Sequence, residues 1–312
     1  MKTFADQLLA SMIAHEPYSL PLAPRYKATE NGVPGALNMM SSWRIIQDLN
    51  KMGQLIEDPE RGILFFTANV KVSNLPSLFW ARLQITDGLI TELEMFLCHS
   101  RGEGGFVHNP DQIGNLPKGW IEPLPETGVA TRAELEHLAE AIFNSSLEGP
   151  PPADYSILME QGGVVHEDPD YLSLLASGEM SELPVGSDEE TMSGMGLFPF
   201  RPHSDYARVI AVDEAQGIAV SAATVWGYVS QHVTRRSGAQ SAFVPDAMME
   251  NHLKTIVPEW MEGLSVMTQM RAACISFQMF RLHSGVIQGM QMLNYVVPVA
   301  GDAVWSTDPA GK

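Results

Sequence analysis

Cysteine is scarce: two of the 312 residues, Cys98 and Cys274, and neither stands in a C-x-x-C or mixed Cys/His ligand spacing. That argues against a disulfide scaffold and against structural zinc. Positive charge is scarce as well, with 19 Lys and Arg against 37 Asp and Glu and a formal net charge of −18. A surface so negative repels phosphate backbones and anionic lipid, so neither nucleic acid nor a membrane is an expected partner. Long apolar runs are missing too. The N-terminus meets Asp6, then His15 and Glu16, before an apolar leader can form, and a cytoplasmic location is the expectation. The chain has no P-loop, no dinucleotide G-x-G-x-x-G, no H-E-x-x-H and no G-x-S-x-G. No metal and no cofactor is expected.

What is present is globular material, 45% hydrophobic and 18% charged, in a length that fits two domains. Its main feature is a repeat. The segment EDPERG followed by ILFFTANVKV, at 57–72, has an echo in VDEAQG followed by IAVSAATVWGYV, at 212–229. Each reads as a D-x-x-x-G turn leading into a strand. LQITDGLITELEMFLCH, with Gly88 at its turn, is echoed by FRLHSGVIQGMQMLNYV, with Gly285 at its turn. Both read as β-hairpins. Glu30-Asn31-Gly32 and Glu160-Gln161-Gly162 form a third pair, each after a helical segment. The order is therefore helix, E-[NQ]-G, D-x-x-x-G strand and Gly hairpin, twice over. From Asp58 to Gly88 is 88 − 58 = 30 positions, and from Asp213 to Gly285 is 285 − 213 = 72. The expected domains are 1–118 and 128–312, the second with an insertion near 230–268.

LPLAPRYKATENG, the helix around Trp43, the D-x-x-x-G turn and the closing hairpin together resemble a tandem SnoaL-like (nuclear-transport-factor-2-like) family. The resemblance implies an α+β fold: two tandem cone-shaped domains, each a curved antiparallel sheet capped by helices, with a pocket on the concave face. Cofactor-free formaldehyde lyases acting on lignin-derived diarylpropane diols are the bacterial enzymes this resemblance brings into view. The second half departs from the family at ILMEQGG, where relatives carry arginines.

The candidate catalytic residues are Tyr26, Lys27, Arg82, His99, His203 and Tyr206. The candidate substrate-binding residues are Trp43, Trp80, Arg208, Trp226 and His232. Strand alternation puts Trp80, Arg82 and Gln84 on one face. There Arg82 can hold a phenolate beside an aromatic ring, or can pair with a glutamate as a surface bridge. Alternation also separates Glu92, Glu94, Phe96 and Cys98 from Leu93, Met95, Leu97 and His99. The glutamate row reads as a solvated face, and the row ending in His99 as a pocket wall. Lys27 is either a pocket lysine with a lowered pKa or a solvated one, and Glu30 reads as a turn-fixing residue. RPHSDYAR at 201–208 gathers an acid, a phenol and a cation.

The expected function is a cofactor-independent lyase on a small hydrophobic aromatic substrate, with release of formaldehyde from a lignin-derived diarylpropane diol as the expected reaction. Tyr, His, Lys and Arg can move protons and hold an oxyanion. The alternatives are an isomerase or dehydratase on a polycyclic or ketonic substrate, and a non-catalytic ligand-binding or dimerisation module. A homo-oligomer is expected. If only one copy works, the methionine-rich Met279–Met292 hairpin marks the second as silent.

Overall fold

The computed structural model describes residues 1–98, 110, 113, 123–141, 156–157, 160–161, 164–165, 208–229, 243–245 and 271–298. His99, His203, Tyr206 and His232 lie outside them, as does most of the 230–268 insertion. In the first half, helix α1 (Lys2–Ile13) precedes strands β1 (Leu22–Glu30) and β2 (Val33–Pro34). The short helix α2 (Ser41–Ile45) follows, and then come β3 (Ile46–Asp58), β4 (Ile63–Val72), β5 (Leu75–Thr86) and β6 (Leu89–Cys98). They form one six-stranded sheet in the order β2-β1-β6-β5-β4-β3.

The second half runs through helix α3 (Arg132–Ala141) and the short strands β7 (Ser156–Ile157), β8 (Glu160–Gln161) and β9 (Val164–Val165). It continues with β10 (Arg208–Asp213), β11 (Ile218–Val229), β12 (Phe243–Pro245), β13 (Arg271–His283) and β14 (Val286–Pro298). Its main sheet has the order β10-β11-β13-β14-β7, with β12 paired to the end of β11. Neither sheet is wholly antiparallel. β1 runs parallel to β6, and β7 parallel to β14, because the first strand of each half returns beside the last.

The two D-x-x-x-G turns agree bond for bond. The Arg61 amide donates to Asp58 Oδ1 and the Gln216 amide to Asp213 Oδ1. Ile85 N–H donates to the Gly62 carbonyl, and Leu282 N–H to that of Gly217. Gln84 Nε2 donates to Arg61 O, and Arg281 Nε to Gln216 O. Both glycines have positive φ, and a Cβ would stand 2.3 Å from Ile85 O at Gly62 and 2.7 Å from Leu282 O at Gly217. Only glycine fits there. The hairpin tips Asp87-Gly88 and Ser284-Gly285 have positive φ at both residues, the conformation that a two-residue hairpin turn demands. Even the register shift recurs, between Gln84 and Ile85 and between Arg281 and Leu282.

Each sheet has two faces with different partners. In the first, Leu64, Phe66, Ala68, Phe79, Ala81, Leu83, Leu93, Met95 and Leu97 form one core with Ala5, Leu8, Leu9 and Met12 of α1. The spacing of those α1 residues is that of one helical stripe. Burial of each large apolar side chain there contributes about 1.5–3 kcal/mol. The opposite faces of the two sheets pack on each other. Ile63, Phe65, Leu78, Trp80 and Phe96 meet Ile218, Val220, Phe277, Met279 and Leu293 across this seam. Trp80 stacks on Phe96 at 4.9 Å, and Phe277 meets the edge of Phe96 at 5.3 Å.

Candidate functional site

The charged residues singled out from sequence converge on two glutamates of β6, Arg82 and Arg208 inside the seam and Lys27 exposed beside it. Arg82 donates to Glu92 at 2.8 Å, Lys27 lies 3.6 Å from the same carboxylate, and Arg208 reaches across from β10 to Glu94 at 2.5 Å. Burial lowers the Arg82 pKa, and the Arg208 charge lowers it further, while Glu94 and Glu92 oppose both. Glu94 is 2% exposed. The solvated glutamate face expected from sequence is thus an inter-sheet layer. The alternation was read correctly, but what covers that face comes from 114 positions further along the chain. Of the two readings of Arg82, the structure shows an ion pair with a strand neighbour, buried where a surface bridge was expected.

The remaining candidates are dispersed. Trp43 is buried under α1, where its indole N–H donates to Ser11 Oγ and its carbonyl meets His15 Nδ1 at 2.6 Å. It fills the core on the face opposite Arg82, so the structure places it away from Trp80 and out of reach of any shared ligand. Trp80 is buried in the aromatic seam. Tyr26 is half-buried beside Tyr18, and burial followed by the Tyr18 contact raises its pKa. Trp226 is half-buried at the far end of β11, opposite Ala273 of β13. Glu30 caps α2: its two carboxylate oxygens accept from the amides and hydroxyls of Ser41 and Ser42. Its role is structural, as expected, but it holds a helix and not only its own turn.

The expected pocket wall of the first half is occupied by its own helices. The helix-covered face of the second sheet differs. Register matches Leu64, Phe66, Phe79 and Leu97 of the first sheet with Ala219, Ser221, Ser276 and Asn294 of the second, and Ala81 with Gln278. Four large apolar side chains are thereby exchanged for small or polar ones. Ser221 sits opposite Gln278, and Ala223, Ser276 and Asn294 form the adjacent rung. Directly opposed residues share a face. The Ser221 hydroxyl donates to Ala139 O of α3, which identifies this as the helix-covered side.

Ser276, Gln278 and Asn294 are at most 1% exposed. Yet Ser276 Oγ, both amide atoms of Gln278 and both of Asn294 make no hydrogen bond. Leaving a buried polar group unpaired costs about 1–3 kcal/mol, so three such side chains in adjacent positions need an explanation. On the same face, two residues before Ser276, burial pushes the Cys274 thiol well above its ordinary value. No ionised group joins these described rungs. Sequence inspection missed the cluster, although CISFQMF carries its signal: polar residues at every second position of an otherwise apolar strand.

No family model matches the chain, and no curated protein matches it. Solved structures of ketosteroid-isomerase-like and nuclear-transport-factor-2-like proteins do. A nuclear-transport-factor-2-like protein of unknown function from Cytophaga hutchinsonii is 8% identical, over 31% of this chain and 88% of its own, with a TM-score of 0.24. A protein with a ketosteroid-isomerase-like fold from Catenulispora acidiphila, solved with trimethylamine, is 10% identical over 38% and 96%, with a TM-score of 0.23. A de novo designed protein with a curved β-sheet is 8% identical over 31% and 83%, with a TM-score of 0.26. The topology above stands on this chain's own strand register. Among the described residues, no helix is long and apolar enough to cross a membrane, and no three His, Cys, Asp or Glu side chains gather as a metal site.

Proposed function

We propose that the chain is a duplicated cone whose halves, near 1–118 and 128–312, have divided their labour. The first half is structural, and the second binds a small hydrophobic molecule on its helix-covered face. The observation that carries this reading is the exchange of Phe79 and Leu97 for the directly paired Ser276 and Asn294 at matching register, with Gln278 on the neighbouring rung. A face with large apolar groups at these positions in one half carries smaller or polar side chains with unpaired hydrogen-bonding groups in the other. It reverses the expectation that the methionine-rich second copy is the silent one.

The chemistry such a face supports needs no cofactor. Amide and hydroxyl donors aimed at a substrate carbonyl stabilise a developing oxyanion, the dominant requirement of enolising isomerases and of lyases that leave a carbonyl product. Isomerisation of a ketone belongs to that class. Formaldehyde release from an aromatic diol would also require the benzylic hydroxyl to leave as water while the electron pair of the broken C–C bond forms the new C=C bond and a base takes the proton of the departing CH2OH group. The two sheets also use their remaining apolar faces on one another, so a homo-oligomer would have to form through other surfaces. The test is turnover of phenolic diols, read as formaldehyde, and of aromatic ketones, read as solvent deuterium uptake. Ser276→Phe, which restores the first half's residue, is expected to abolish turnover in a folded protein, while Arg82→Met leaves it largely intact. Full activity in Ser276→Phe overturns the site.

A further inference from the structure

Resting on that reading, we infer that the second half selects an uncharged ligand with a carboxamide-type edge, one N–H beside one C=O, over the matching carboxylate. Gln278 and Asn294 each hold a donor and an acceptor without a partner, and the Ser276 hydroxyl can serve as either. A ligand that only accepts would satisfy Nε2 of Gln278 and Nδ2 of Asn294 but leave Oε1 and Oδ1 bare. A ligand presenting both can fill both kinds.

Charge gives the second argument. The rungs Ser221–Gln278 and Ala223–Ser276–Asn294 carry no cation, and the neighbouring thiol of Cys274 is held neutral by burial. Among the described side chains, the cations flanking these strands are engaged elsewhere: Arg208 with Glu94 in the seam, and Arg281 with the Gln216 carbonyl at the turn. A carboxylate brought to this face would lose its hydration and meet no counter-ion on these described rungs, which is strongly unfavourable. An amide of the same shape avoids that cost.

Benzamide, acetophenone and benzoate form a near-isosteric set that separates these effects. Binding to the full chain is measured by calorimetry, and the location by chemical-shift changes in β13 and β14. Benzamide should bind about 10-fold or more tighter than acetophenone, the worth of one hydrogen bond to an otherwise unpaired buried group. Benzoate should bind weakest of the three. Gln278→Met and Asn294→Leu should each bring benzamide down towards acetophenone while leaving the thermal unfolding profile cooperative. If benzoate binds at β13 and β14 as well as benzamide, or if both variants keep the benzamide preference, the ligand class is wrong and the site stands. If none of the three shifts β13 or β14, the ligand-site reading itself fails.

Discussion

Asp58 and Asp213 hold each other's strands: Asp58 Oδ2 accepts from the Val212 amide at 3.0 Å, and Asp213 Oδ2 from the Glu57 amide at 3.1 Å. Each carboxylate reaches the residue immediately before the other, so the two D-x-x-x-G turns are joined reciprocally across the seam. The bonds differ in company. Asp58 is fully buried and receives both terminal nitrogens of Arg132, at 3.1 and 2.9 Å. Asp213 receives neutral groups, the amide and side chain of Gln216.

Asp58→Asn should therefore be the more damaging substitution. It removes the bidentate partner of Arg132, which keeps Glu136 and the more exposed Glu60, and should cost about 1–3 kcal/mol, the range for a charge-assisted hydrogen bond. Asp213→Asn keeps an acceptor for neutral donors and should cost about 1 kcal/mol. Urea unfolding of both single variants and the double variant measures this. Strict additivity would show the two turns to be independent, against the reciprocal geometry.

Alkaline pH should weaken the fold through Cys274. Its folded pKa is raised by burial, so the stabilisation is fully present below the unfolded thiol value of about 8.5 and declines as pH rises above it. Cys274→Ala should flatten the pH dependence of the unfolding midpoint between pH 8 and 10, a window set around that same value of about 8.5. Equal slopes in both proteins would contradict the assignment. In the native protein, iodoacetamide should label Cys274 only after denaturant is added.

Trp43 and Trp80 should affect stability and leave ligand recognition alone. Both are buried in separate cores, and truncation of either to Ala should cost about 3–5 kcal/mol. Trp43→Phe should be milder and bind the benzamide probe with unchanged affinity. A variant that stays folded yet loses the probe would return Trp43 to the site.

Much of the strand plan was legible because it depends on local chemistry. Gly62, Gly217, Gly88 and Gly285 mark positive-φ turns that other residues tolerate poorly, and alternation sorted Trp80 and Arg82 from Leu83 correctly. The candidate site was legible only in part. Lys27, Arg82 and Arg208 do meet, but as an ion-pair layer with Glu92 and Glu94, and Trp43 went to a different core.

Sequence by itself determined where strands start, where they turn, which residues share a face, and that the same series of landmarks occurs twice. Tertiary structure alone decided what each face meets. Alternation has a period of two and says nothing about whether water, a helix or a second sheet lies opposite. Glu94 and Leu93 are neighbours with equally regular patterns, yet Glu94 is buried against Arg208, and Leu93 in the core beneath α1. The same holds for Ser276 and Gln278, which read as ordinary polar positions until packing removed them from solvent without supplying partners. Burial is a property of the assembled chain, and burial is what turns a hydroxyl and two amides into a candidate site.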